Sequence, residues 1–144
     1  MSFREKSAWI TLITLIALSI LFFLHFPRPW SVAPAADPSM FHVMMLLIAT
    51  FIVVEIIGHI AIAIWSPRDA RAPKDERERL IALKSAAIAG YVYAFTSLGS
   101  VFITVHLTGG NGNLIGLAYL ILASFVLAEI VQYGLRVYYF RRGL

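Results

Sequence analysis

The chain contains no cysteine. Disulfides, thiolate nucleophiles, iron–sulfur ligation and the dithiol chemistry of membrane thiol oxidoreductases are thereby excluded. Charge is scarce as well: 14% of the 144 residues are charged and 60% are hydrophobic, with a mean hydropathy of +0.80. Those proportions lie outside soluble domains and inside the integral-membrane class. Acids are the rarer sign, eight against twelve Lys and Arg. The basic surplus flanks apolar runs, so it is topogenic, and no nucleic acid is expected as a partner. No phosphate loop, nucleophile elbow, zincin or kinase motif occurs, and a non-enzymatic protein is expected.

What remains is four apolar segments, at 7–26, 40–65, 80–107 and 114–140. Each meets the ~20 residues that a ~30 Å hydrocarbon core requires. No period-2 alternation appears, so all four are expected to be helices in a lipid bilayer. The first resembles a signal peptide, with basic residues before it and Ala33-Pro34-Ala35 after it. Its apolar run exceeds the usual 7–15 residues of a signal core, so a retained helix is expected.

The connections differ in kind. Pro27, Pro29, Pro34 and Pro38, with Trp30 among them, predict an extended interfacial loop. In 66–79, Pro73 followed by Asp75 and Glu76 predicts a helix start in water, supported by an Asp75–Arg79 pair at i,i+4. The turn 108–113 is short and uncharged, so segments three and four should form a tight hairpin. Small residues at Ala82, Ala86, Gly90 and Ala94 predict a close helix approach, and Thr96, Ser100 and Thr104 form a second row.

Eleven of the twelve basic side chains fall at the N-terminus, in 66–84 or at the C-terminal end, and only Arg28 lies on the other side. The expected fold is all-α: four transmembrane helices as two like-oriented hairpins, 1–72 and 73–144, with both termini cytoplasmic. A repeat is suggested by Phe51-Ile52-Val53-Val54-Glu55-Ile56 against Phe125-Val126-Leu127-Ala128-Glu129-Ile130, and by Arg68 against Arg142.

Two carboxylates at matching depth are the sequence's main anomaly. Glu55 and Glu129 stand ~15 Å from the cytoplasmic helix ends at ~1.5 Å per residue. An ionised side chain there costs ~3 kcal/mol or more, so each must face protein or water, find a donor, or stay protonated. The in-helix candidates are His59 for Glu55, and Tyr133, Arg136 and Gln132 for Glu129. The functional reading is a polar core of Glu55, His59, Glu129, Tyr133 and Arg136 serving a small proton- or ion-linked transporter or channel subunit. The bland reading makes the acids hydrogen-bonded glue between hairpins or protomers. With the small-residue ladder they suggest a homo-oligomer, most simply a dimer. A second alternative is a regulatory, immunity or assembly subunit that docks a partner protein through Arg68, Lys74, Asp75, Arg77 and Arg79. A third is a haem or metal redox protein using His25, His42 and His106, which share a depth but no metal-ligand spacing. No cofactor is otherwise expected.

The runs Arg4-Glu5-Lys6-Ser7-Ala8-Trp9, Ser66-Pro67-Arg68 through Asp75-Glu76-Arg77-Glu78-Arg79-Leu80, and Tyr138-Tyr139-Phe140-Arg141-Arg142-Gly143 resemble a group of small, uncharacterised bacterial inner-membrane proteins. The resemblance spans nearly the whole chain. It implies a bacterial cytoplasmic membrane and carries over no catalytic residue.

The orientation is testable because the chain is free of cysteine. Ser31→Cys should react with a membrane-impermeant maleimide in right-side-out vesicles, and Ser66→Cys only in inverted ones. The opposite pattern contradicts the cytoplasmic placement of the termini.

Overall fold

The computed structural model describes residues 3–25, 38–65, 67, 73, 75–108 and 114–142. Among these the regular structure is entirely helical: α1 (Phe3–His25), α2 (Pro38–Trp65), α3 (Glu76–Thr108) and α4 (Leu114–Arg142). All four are long and apolar enough to cross a membrane. Their outward faces carry Ile, Leu, Val and Phe in the open, Ile57, Ile64 and Phe95 among them, which suits a surface solvated by acyl chains.

The helix starts follow local chemistry. Proline opens α2 at Pro38, where its missing N–H is no loss and its fixed φ suits the first turn. At α3 the Asp75 carbonyl accepts the Arg79 N–H at 3.1 Å, while the Glu78 carboxylate reaches back to the Asp75 N–H at 3.3 Å. That return bond from the third helical residue is one half of a capping box. The expected Asp75–Arg79 side-chain pair is therefore replaced. The link between these residues runs through the backbone, and Glu78 is the acid that is used, bonded also to Arg4 Nε at 2.7 Å.

The helices pack in the order α2–α1–α4–α3, with the most extensive contact between α3 and α4. Two hairpins related by a two-fold axis would pair α2 with α3 just as α1 pairs with α4. Among the described residues α1 and α4 pack and α2 and α3 do not, so the contacts carry no repeat symmetry. Ala8 and Leu12 of α1 pack with Val137 of α4, flanked by Trp9, Ile130 and Tyr133. Further along, Tyr119 stacks on Phe22, and its ring meets Phe23 edge-on at 5.3 Å. Ion pairs gather the start of α1, the start of α3 and the end of α4 at one end of the molecule: Arg4–Glu78 and Arg141–Glu5.

The α3–α4 seam corrects one expectation. Ser100 and Ser124 meet at 3.1 Å, and the hydroxyls of Thr96, Ser100 and Thr104 each bond the carbonyl four residues back. The same face carries buried Ala89, two turns before Thr96, and then Ser85 and Ile81. Ala86, Gly90 and Ala94 stand about 100° away on the helix and face outward, and a Cβ on Gly90 would touch nothing. Helices also approach closely at Gly58 of α2, where a Cβ would lie 3.0 Å from Ile10 Cγ2 of α1.

Alanine therefore distinguishes the two glycines. Gly90→Ala should stabilise the protein by about 0.5–1 kcal/mol through helix propensity. Gly58→Ala should lose that gain to overpacking against Ile10, which costs about 1–3 kcal/mol. Thermal unfolding in one detergent checks this, and equal shifts for the two variants contradict the close approach.

Candidate functional site

The polar residues of α1 and α2 face each other in register. Ser7 and Thr11 stand one turn apart on α1, and Glu55 and His59 stand one turn apart on α2. Thr11 Oγ1 donates to Glu55 Oε2 at 2.7 Å, and Ser7 Oγ meets His59 Nε2 at 2.6 Å. His59 Nδ1 lies 2.7 Å from the Glu55 carbonyl and 3.5 Å from Glu55 Oε2. A carbonyl only accepts, so Nδ1 carries a proton in either charge state. Nε2 then accepts from the Ser7 hydroxyl when the ring is neutral and donates to it when the ring is charged. The change needs only a turn of that hydroxyl, so His59 can take or lose a proton with every heavy atom in place.

The two side chains of the pair are sheltered unequally. The Glu55 side chain is 15% exposed, its Oε1 is buried without a hydrogen-bond partner, and Thr11 beside it is 3% exposed. The His59 side chain is 40% exposed.

Both residues line a cavity of about 330 Å³ to which all four helices contribute. It occupies the gap between α1 and α3, whose backbones do not pack and which the Arg4–Glu78 pair bridges. Tyr133, Arg136 and Phe140 of α4 form another wall. The Arg136 guanidinium lies 4.8 Å from the centre of the Tyr133 ring, and its Nε is buried with no partner. Tyr133 follows Glu129 by one turn on α4 and lines the cavity that Glu55 also lines.

Of the residues singled out from sequence, the cavity brings together Glu55, His59, Tyr133 and Arg136. Glu129 is half-buried one turn before Tyr133 and is not part of the lining, so the two acids are not equivalent. His25 and His42 are exposed, and His106 is exposed and stacked on Phe102. No three His, Asp or Glu side chains gather as a metal would require among the described residues. Of the loop set, Asp75, Arg77 and Arg79 are exposed at the start of α3, Arg77 reaching the Phe140 carbonyl at 3.5 Å. Arg68 and Lys74 lie outside the described residues. Sequence reasoning missed Ser7, Thr11, Arg4 and Glu78. A signal for the first two existed, since paired hydroxyls one turn apart match the Glu–His spacing on α2.

Fold and site together define an all-helical chain of four membrane-length helices with a polar cavity toward one end. No family model, curated protein or solved structure matches it.

The Thr11–Glu55 bond has a measurable strength. A double-mutant cycle of Thr11→Val and Glu55→Gln should return a coupling of about 1–2 kcal/mol in detergent unfolding, within the range of hydrogen bonds to charged groups and of interhelical bonds in membranes. Strict additivity contradicts the bond.

Proposed function

We propose that this chain is an integral protein of a bacterial cytoplasmic membrane whose cavity exchanges protons, with Glu55 and His59 as the exchanging pair of a small proton-linked transporter or channel subunit. One observation carries the reading. A carboxylate and an imidazole one turn apart, held by Thr11 and Ser7, line a cavity that all four helices build. Intramembrane acids are expensive and tend to mark ion or proton paths. Imidazole changes charge between about pH 5 and pH 8, so it suits exchange with cytoplasm.

The location of the cavity supports the same reading. It lies toward the end that gathers Arg4, Arg77, Arg141 and Arg142, the end that the distribution of basic residues assigns to the cytoplasm. Glu55 is the innermost titratable group of the cavity, ten residues from the end of α2, or ~15 Å at ~1.5 Å per residue. His59 stands one turn nearer that end, Arg4 and Glu78 at the mouth. A proton moving inward therefore passes His59 before Glu55. Glu129, away from the cavity, serves in packing and in the field on Tyr133.

Reconstitution into liposomes loaded with a pH-sensitive dye tests this. An imposed pH difference should collapse faster with the wild type than in empty liposomes. Glu55→Gln should return the rate to the empty-liposome level, and Glu129→Gln should leave it largely unchanged. Equal loss in both variants, or no flux by the wild type, counts against the assignment.

A further inference from the structure

We infer that the cavity binds a small monocarboxylate at Arg136 together with one proton at the Glu55–His59 pair. The inference rests on the proton-exchange reading and adds the substrate class to it. Arginine keeps its charge at any physiological pH. Arg136 stands in no ion pair among the described residues, whereas Arg4 is paired with Glu78 across the mouth. Arg136 lines the cavity beside the Tyr133 ring, its buried Nε–H has no partner, and a guanidinium matches a carboxylate through parallel hydrogen bonds.

Charge bookkeeping couples the anion to the proton. The titratable and charged groups facing the cavity are Arg4 from α1, Glu55 and His59 from α2, Glu78 from α3, and Tyr133 and Arg136 from α4. With Glu55 ionised and His59 neutral, these sum to zero. An entering carboxylate would leave one uncompensated negative charge in a low-dielectric site, a costly state. One proton taken by the Glu55–His59 pair restores neutrality. His59 can accept it without heavy-atom movement, and it lies 3.5 Å from Glu55 Oε2, to which it can lend that charge. Glu129 is not among the residues that line the cavity.

Size and walls narrow the class. A cavity of about 330 Å³ takes a molecule of a few carbons, and Ala8, Ile81 and Ala82 offer apolar surface for an aliphatic tail. A halide cannot use the guanidinium fork.

The experiment is titration calorimetry of the purified full chain with propionate, at about pH 5 and about pH 8, the span over which imidazole changes charge. Two buffers of different ionisation enthalpy give the number of protons taken up. Binding should carry one proton per propionate and weaken about tenfold per pH unit where the pair is unprotonated. Glu55→Gln leaves the cavity one charge more positive, so propionate should bind without proton uptake and with little dependence on pH. Arg136→Gln should abolish binding and Arg136→Lys should weaken it. If Arg136→Gln does not fold, the proton count in Glu55→Gln decides alone. Propionate binding without protons in the wild type overturns the inference, as does phosphate or chloride binding in its place. Dye-reported proton flux by a wild type that binds no propionate removes the substrate class and leaves proton exchange standing. A chain that does neither loses both.

Discussion

The structure depends on the match between two polar pairs, one on each of two apolar helices. Ser7 and Thr11 on α1 and Glu55 and His59 on α2 share the one-turn spacing, so a single docking register satisfies both at once. Apolar helices in lipid have no hydrophobic force that selects one register over another. The hydrogen bonds supply that selection, and Gly58, one residue before His59, lets the backbones come close enough for them to form. Sliding α1 by one turn would leave one of the two bonds unmade and a carboxylate facing a greasy wall.

The remaining helices turn that contact into a site. α4 packs on the other side of α1 through Ala8, Leu12 and Val137, which brings Tyr133 and Arg136 to the cavity. α3 packs extensively on α4, with Ser100 and Ser124 meeting in the seam, and the Arg4–Glu78 pair ties its start to α1. A gap with charged walls follows from the lack of backbone packing between α1 and α3. Glu78 works twice, closing the first turn of α3 and pairing with Arg4, so helix start and cavity mouth are fixed by one side chain.

Much of this was legible in the residues. Four apolar runs of bilayer length could be read directly, as could the α3 start at Pro73-Lys74-Asp75-Glu76, because composition and capping chemistry are local. The Glu55–His59 pair was legible for the same reason, four residues apart on one helix. Two other readings lacked a rotational reference. The row Ala82, Ala86, Gly90, Ala94 and the row Thr96, Ser100, Thr104 lie on different faces of α3, and sequence alone does not say which one meets a neighbour. The Ser/Thr row does: Ser100 meets Ser124 of α4, while Thr96 and Thr104 return their hydroxyls to carbonyls of their own helix. Likewise Glu55 and Glu129 align in the chain, yet packing order separates them: α1 presents two hydroxyls to Glu55, while Glu129 stands before the Tyr133–Arg136 pair of its own helix. A pattern of identities carries no information about which helix becomes the neighbour.

In the proposed function, Glu55 and His59 take up and release a proton within the cavity. Infrared difference spectroscopy on the reconstituted protein, stepped from neutral to acidic pH, tests it most directly through the carbonyl stretch of a protonated carboxylic acid and the ring modes of imidazolium. Proton uptake by this pair should give a carboxylic-acid band that Glu55→Gln removes and Glu129→Gln retains, with imidazolium signals that His59→Gln removes. A band that persists in Glu55→Gln, or a spectrum unchanged by the pH step, contradicts it.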